Sequence, residues 1–114
     1  MVNIILASKS KVRKEILDRH HISNKVKPSN IDEEMIKESL LNKNISPEII
    51  SKNLAELKAN KISQQNTNVL VLGADSVIDL EGELISKPTN REEALIILKK
   101  INKKKHNLIS TVCI

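Results

Sequence analysis

Residues 69–88, VLVLGADSVIDLEGELISKP, decide the fold of this 114-residue chain. They begin with an uninterrupted apolar run, residues 69–72, which predicts a buried strand. Asp75 comes where we expect this strand to end, and a second apolar run leads into a polar hairpin turn at Glu81-Gly82. A strand that ends in a carboxylate can hold a catalytic acid on a rigid support. An ordinary aspartate in a strand-end turn explains this stretch alone equally well.

A second segment, residues 4–17 (IILASKSKVRKEIL), predicts a strand, a short polar turn and a helix that begins with hydroxyl and cationic side chains. Free N–H groups at the start of a helix, combined with positive charge, suit an anion such as phosphate. We expect Ser10 to cap this helix. We expect Val12, Ile16 and Leu17 to face the core.

The rest of the chain continues the alternation of strands and helices, which predicts an α/β layer architecture. Apolar periodicity and capping residues place the elements. Strands are expected at residues 3–7, 25–27, 69–72, 77–80, 84–85 and 107–114, and helices at residues 10–20, 30–43, 47–64 and 94–101.

Together these segments resemble the Maf family of nucleoside triphosphate pyrophosphatases. The amino-terminal segment is similar to the family pattern I-L-A-S-x-S-P-R-R-x-E-L-L, and the central segment to G-A-D-T-x-V-x-x-x-G-x-x-x-x-K-P. Further blocks follow in the same order, namely residues 31–33 (IDE), residues 54–59 (LAELKA), Glu93, Ala94, Leu98, His106, Ser110 and Thr111. Several ordered blocks make a far more specific signal than any one of them.

The resemblance implies a mixed twisted sheet with flanking helices, in the Maf-like cleft architecture shared with inosine triphosphatase-like and anticodon-binding proteins. Family chains are substantially longer than this one. We therefore expect residues 1–114 to form a single Maf-like domain that lacks its carboxyl-terminal part, which is one half of the usual fold. The last strand should then leave an apolar edge, which causes low solubility or is covered in a homodimer.

The activity that the resemblance implies is hydrolysis of a nucleoside triphosphate to the monophosphate and pyrophosphate, which clears non-standard or excess nucleotides. Such chemistry needs cations on the phosphates, a divalent metal and a carboxylate that orients water. The resemblance makes Asp75 the catalytic residue, and Asp75 with Glu33 the ligands of Mg²⁺ or Mn²⁺. The substrate-binding residues that it implies are Ser8, Ser10, Arg13, Lys58, Ser76 and Lys87.

Structural interpretations compete at some of these positions. A carboxylate such as Glu33 is favoured at a helix start by the helix dipole alone. Ser10 can serve only as a helix cap. The family's first arginine, associated with the choice of nucleobase, is replaced here by Val12, so the resemblance implies no preferred base. We expect this change to weaken or redirect base selection.

The composition supplies the competing hypotheses about function. The net charge of +5 favours a polyanionic partner, although the lysine excess also fits a general bias toward Ile, Lys and Asn. Because the chain has no Phe, Tyr or Trp, it offers no platform on which bases could stack. A basic nucleic-acid-binding module is therefore the third hypothesis, behind a catalytically weak nucleotide-binding remnant.

The remaining composition bears on the compartment. Cys113 is the only cysteine, which excludes an internal disulfide. No stretch is apolar for long enough to span a membrane, and the amino terminus does not resemble a secretory signal. We expect a cytoplasmic protein without a membrane partner.

Overall fold

The computed structural model describes residues 3–85, 88 and 90–114. Helices and strands alternate along the chain, and the described strands form one mixed sheet. In chain order the elements are β1 (Ile4–Leu6), α1 (Lys11–Arg19), β2 (Asn24–Val26), α2 (Glu33–Asn42), α3 (Pro47–Gln65), β3 (Leu70–Leu80), β4 (Glu83–Ile85), α4 (Arg91–Ile101) and β5 (Asn107–Cys113).

The long strand β3 joins the two halves of the sheet. Its residues 70–72 pair in parallel with β1, which in turn pairs in parallel with β2. Its residues 73–79 pair antiparallel with β5, and its residues 78–80 pair antiparallel with β4. Because Ile78 pairs with both β4 and β5, these two strands lie on opposite edges of β3. The sheet is therefore mixed, and the predicted α/β class is confirmed.

The prediction that a strand ends at Asp75 is wrong. β3 runs without interruption from residue 70 to residue 80, and Asp75 lies in its middle, paired with Thr111 of β5. Pairing with β1 ends at Leu72, and pairing with β5 begins at Gly73. The strand continues because its backbone pairs with the antiparallel strand β5 where its pairing with the parallel strand β1 ends. Since β5 is distant in sequence, residues near Asp75 give no indication of this pairing.

The hairpin that follows β3 confirms the turn predicted at Glu81-Gly82. Both residues have positive φ, 49° and 91°, as a two-residue turn with the twist of a hairpin requires. The Asp79 side chain stabilises the turn by accepting a hydrogen bond from the Gly82 N–H at 2.8 Å.

Helix α3 builds most of the helical part of the core. Its buried face carries aliphatic side chains together with small residues and Lys58, whereas α1, α2 and α4 contain no buried residue among those described. Gly73 lets this helix approach the sheet closely, since an added Cβ there would lie 2.3 Å from the carbonyl oxygen of Ala55 and 2.8 Å from the backbone nitrogen of Ala59. Close helix–strand packing at this point therefore requires glycine.

The amino-terminal helix departs from its predicted packing. The Ser10 cap is confirmed, since its hydroxyl accepts the Arg13 N–H at 3.3 Å. Of the three side chains expected to face the core, however, Val12 is 64% exposed, Ile16 is also exposed and Leu17 is half-buried. Helix α1 contacts β2 at one edge of the sheet, and no other described element packs over its exposed apolar side chains.

Other apolar side chains are exposed near the carboxyl terminus. Leu108 and Val112 of β5 are 72% and 63% exposed, and Leu95, Ile96 and Leu98 of α4 are also exposed. Among the described residues, no helix combines the length and the apolar character needed to cross a bilayer.

Replacing Gly73 with alanine should destabilise the fold by about 3 kcal/mol, the upper end of the range for overpacking, because the new methyl meets rigid backbone atoms of α3. The matched change is Gly82→Ala, where an added Cβ meets nothing within 4 Å and only the positive φ opposes it. We expect it to cost roughly 1 kcal/mol. Urea unfolding measures both free energies. Equal losses would show that α3 does not press on β3 at Gly73.

Candidate active site

A cavity of about 690 Å³ lies beside the middle of β3. Polar side chains reach it from the turn between β1 and α1, from the start of α2, from α3 and from β3. Aliphatic side chains line another part of it, namely Val77, Ile78, Ile85, Ile97 and Leu108. A volume of this size suits a small organic ligand, and the mixture of polar and aliphatic walls suits one with a charged end and an apolar end.

The turn between β1 and α1 is organised by Ser8, which is buried. Its hydroxyl oxygen accepts a hydrogen bond from the Ser10 N–H at 3.1 Å and another from Nη1 of Arg13 at 3.1 Å. Ser10 in turn caps the helix that carries Arg13. The two serines therefore fix both the turn and the guanidinium beside the cavity.

Arg13 connects α1 to the middle of β3. Its Nη1 donates to the carbonyl oxygen of Ala74 at 3.1 Å, and its Nη2 donates to the hydroxyl of Ser76 at 3.4 Å. The Ser76 hydroxyl also lies 2.9 Å from that of Ser110 on β5. All of these acceptors are neutral, and no described carboxylate pairs with Arg13, so its charge is not neutralised within the described part of the protein.

Lys58 joins three elements through one buried ammonium group. Its Nζ lies 2.5 Å from Oε1 of Glu33 on α2, 3.2 Å from Oδ1 of Asp75 and 3.2 Å from the carbonyl oxygen of Ala74, both on β3. An ammonium group has three protons to donate. Lys58 therefore donates hydrogen bonds to Asp75 and to the Ala74 carbonyl and forms an ion pair with Glu33.

The carboxylate of Asp75 is only partly satisfied. The residue is 5% exposed, and its Oδ2 is buried without a hydrogen-bond partner among the described residues. Burial raises the pKa of Asp75 above its ordinary value, and the positive charges of Lys58 and Lys37 oppose the rise. An unmet buried acceptor is costly and calls for an explanation such as a water, a proton or an ion.

Two residues of this site were not singled out by the sequence analysis. Ser51 is fully buried on α3, where its hydroxyl donates to the carbonyl oxygen of Asp75 at 3.3 Å and lies 2.9 Å from that of Thr111. Lys37 lines the cavity with a side chain that is only 12% exposed. Helical spacing is the one sequence feature that could have indicated these two residues. Ser51 precedes Lys58 by seven residues and Lys37 follows Glu33 by four, so each lies on the same helix face as a predicted site residue.

The cavity brings together the described residues that the sequence analysis proposed. They are Ser8, Ser10, Arg13, Glu33, Lys58, Asp75 and Ser76. Lys87, also proposed to bind substrate, lies outside the described residues. Val12, at the family position linked with base choice, does not line the cavity and is mostly exposed.

The carboxylates of Glu33 and Asp75 could hold a divalent metal only if a bound substrate supplied further oxygen ligands. Glu33 and Asp75 lie close enough to contact the same ammonium, and Oδ2 of Asp75 is unused. Within the described ranges, no cluster of three or more His, Cys, Asp or Glu side chains is placed to hold a metal. Mg²⁺ commonly binds through one or two carboxylates with substrate phosphates and water, so two carboxylates here are enough for a shared site.

The fold and the cavity define an α/β protein whose buried carboxylate–lysine pair lies beside a capped helix start. A family model described as Maf-like protein matches residues 3–114, and the chain belongs to this family.

Curated relatives agree with that assignment. The chain is 68% identical over 111 residues to a nucleoside triphosphate pyrophosphatase of Pelagibacter ubique, with 97% of this chain and 57% of the relative covered. It is 40% identical to a nucleoside triphosphate pyrophosphatase of Roseobacter denitrificans, covering 97% of this chain and 56% of the relative. It is 36% identical to a dTTP/UTP pyrophosphatase of Caldicellulosiruptor bescii, covering 100% and 56%. The chain thus spans about half the length of the curated relatives it matches.

Replacing Lys58 with methionine should destabilise the protein by about 3 kcal/mol, because it leaves the buried Asp75 carboxylate without its counter-charge. Adding Asp75→Asn to this variant should recover part of the loss, since the uncompensated charge is then gone. The control, Lys52→Met, removes an exposed lysine of the same helix and should change the free energy of unfolding by less than about 0.5 kcal/mol. Urea unfolding of the wild type, these three variants and the single variant Asp75→Asn gives the comparison. Strictly additive losses in the double variant would contradict a direct Lys58–Asp75 interaction.

Proposed function

We propose that the protein hydrolyses nucleoside triphosphates to the monophosphate and pyrophosphate. The observation that carries the proposal is the buried Asp75 carboxylate, with one unused oxygen, in the same cavity as Arg13 and the start of α1. The names of the relatives support the same reaction. The proposal extends their activity to a chain that matches about half of their length.

The phosphates of the substrate would bind at the turn between β1 and α1. Ser8 and Ser10 shape the turn, and Arg13 supplies a charge that no described carboxylate neutralises. A guanidinium can grip a phosphate through two parallel hydrogen bonds. We include Ser76, Lys58 and Lys87 among the substrate-binding residues, as the family motif implies.

The part of Asp75 in this proposal is to orient and deprotonate the attacking water. Burial raises the pKa of its carboxyl, which makes it a better base than an exposed aspartate, while Lys58 favours the ionised form that a base requires. Its Oδ1 is held by Lys58, which leaves Oδ2 as the oxygen that can accept a proton. The water's proton would pass to Oδ2 as its oxygen bonds to phosphorus and the pyrophosphate group departs.

A divalent cation, Mg²⁺ or Mn²⁺, would be held by Glu33 and Asp75 together with phosphate oxygens. When bound, such an ion supplies positive charge that neutralises the phosphates and polarises the phosphoryl group under attack. Glu33 reaches this position because it begins α2, and Asp75 because it lies opposite α3 on β3.

The wider assignments are also proposals. Residues 1–114 form one Maf-like domain, acting in the cytoplasm on non-standard or excess nucleotides. Exposed Leu108 and Val112 on β5 favour a homodimer that covers this strand. The cavity wall that would meet the base is aliphatic and has no aromatic side chain.

A panel of nucleoside triphosphates assayed for pyrophosphate release, with Mg²⁺ or Mn²⁺, tests the proposed reaction. Release of pyrophosphate with one nucleoside monophosphate per turnover supports it. Nucleotide binding without release would favour the nucleotide-binding remnant. Strongly salt-dependent binding to DNA or RNA without hydrolysis would favour the nucleic-acid-binding module.

Replacing Asp75 with asparagine should lower the hydrolysis rate by ~10²–10⁴-fold while the protein stays folded, because an amide cannot accept the proton. The matched control is Asp79→Asn, four residues along the same strand, where an amide oxygen can still accept the Gly82 N–H and the side chain lies outside the cavity. Its rate should match the wild type. A folded Asp75→Asn protein with wild-type turnover would remove Asp75 from the mechanism.

Replacing Glu33 with glutamine should raise the Mg²⁺ concentration that gives half-maximal activity by at least about 10-fold, since even indirect changes at metal sites have effects of that size. Glu38→Gln changes an exposed carboxylate of the same helix outside the cavity, so it should leave the Mg²⁺ requirement unchanged. Titration of Mg²⁺ at fixed nucleotide measures both. An unshifted curve for Glu33→Gln would show that Glu33 is not a metal ligand.

A further inference from the structure

The cavity is lined by a half-buried lysine that neither the family motif nor the substrate-binding set above includes. Lys37 lies one turn after Glu33 on α2, and its side chain is 12% exposed. Its only ion pair among the described residues is with Glu34 at 3.8 Å, on the same helix, and the Glu34 side chain is 79% exposed. An ion pair of that length with a solvated partner is weak. The Lys37 ammonium is therefore available to bind another anionic group.

The other described cations that line the cavity differ from Lys37 in this respect. Lys58 is neutralised by the carboxylates of Glu33 and Asp75 and also donates to the Ala74 carbonyl. Arg13 donates through both of its terminal nitrogens to acceptors of the protein. Lys9 is exposed and is solvated by water. An ammonium group in the wall of a cavity, without a strong partner of its own, favours an anion bound there.

The position of Lys37 indicates which anion that is. Lys37 lines the same cavity as Asp75, the proposed point of attack, and its charge opposes the rise in the pKa of that carboxyl. The cavity already holds the carboxylates of Glu33 and Glu34 beside it. A compact, multiply charged anion such as a polyphosphate is the group that can satisfy Lys37 and Arg13 together.

We propose that Lys37 is a polyphosphate-binding residue, which contacts the phosphates of the bound nucleotide from α2 while Lys58 mainly positions Asp75. This inference rests on the proposed function for the identity of the ligand, but it can be measured without turnover. Because Lys37 belongs to a helix with no buried residue, its contact would also draw α2 onto the substrate.

The test is calorimetric binding of inorganic pyrophosphate and inorganic phosphate to the purified protein and to three variants. Lys37→Met keeps the aliphatic stem and should weaken pyrophosphate binding by about 10- to 100-fold, as expected for loss of a charge-assisted contact. Lys37→Arg should stay within about 3-fold of the wild type, since it keeps the charge. The control Lys43→Met removes the lysine at the end of the same helix, outside the cavity, and should bind like the wild type. Phosphate binding should fall less than pyrophosphate binding in Lys37→Met.

Several results would overturn the inference. They are wild-type pyrophosphate binding by Lys37→Met, an equal loss in Lys43→Met, or no pyrophosphate binding by the wild type. Circular dichroism confirms that the variants fold, and Lys37→Gln replaces Lys37→Met if that protein does not. The two proposals can fail separately. If Lys37→Met selectively loses pyrophosphate binding but the wild type releases no pyrophosphate from any nucleotide, the role of Lys37 stands and the proposed hydrolysis is rejected.

Discussion

The buried ammonium of Lys58 is the interaction on which the rest of the site depends. It brings a carboxylate from α2, a carboxylate from β3 and a backbone carbonyl of β3 to one point. Without it, Asp75 would be a buried charge with no counter-charge within hydrogen-bond distance, and burial would drive it to the neutral form. Glu33 would also lose the contact that links the start of the lightly packed α2 to the core.

That interaction is possible only because α3 lies very close to β3. Gly73 removes the side chain that would hold the helix away, and Ala55 and Ala59 supply the facing surface. Lys58 lies between these two alanines in the sequence, directly before Ala59, so the close approach brings its side chain to the sheet. Ser51, two turns earlier on the same face, fixes the Asp75 carbonyl from the other direction. The close approach of α3 to β3 thus produces both the tight packing at Gly73 and the contacts of Lys58 and Ser51 with Asp75.

Much of this arrangement follows from local sequence patterns. Helix caps such as Ser10, the Glu81-Gly82 hairpin and the apolar run of β3 depend on neighbouring residues, and they lie where the sequence predicts them. Ordered motif blocks also led to the polar residues that share the cavity, although their roles stay predictions.

What could not be predicted depends on partners that are distant in sequence. Asp75 was expected at a strand end, because nothing local shows that β5 takes over from β1. Val12 is exposed because no element in the described part of the chain packs over it, and apolar periodicity cannot show this. Lys37 resembles any other lysine of this lysine-rich chain until α2 is placed against the cavity.

The carbonyl oxygen of Ala74 accepts hydrogen bonds from both Arg13, at 3.1 Å, and Lys58, at 3.2 Å. One backbone atom of β3 therefore joins two helices, α1 through Arg13 and α3 through Lys58, and the carboxylates of Glu33 and Asp75 neutralise only the second cation. An anion bound by Arg13 would neutralise the first and would act on all three elements through this shared acceptor. The affinity for an anion and the stability of the fold are thereby coupled, so the protein should be most rigid when an anion occupies its cavity.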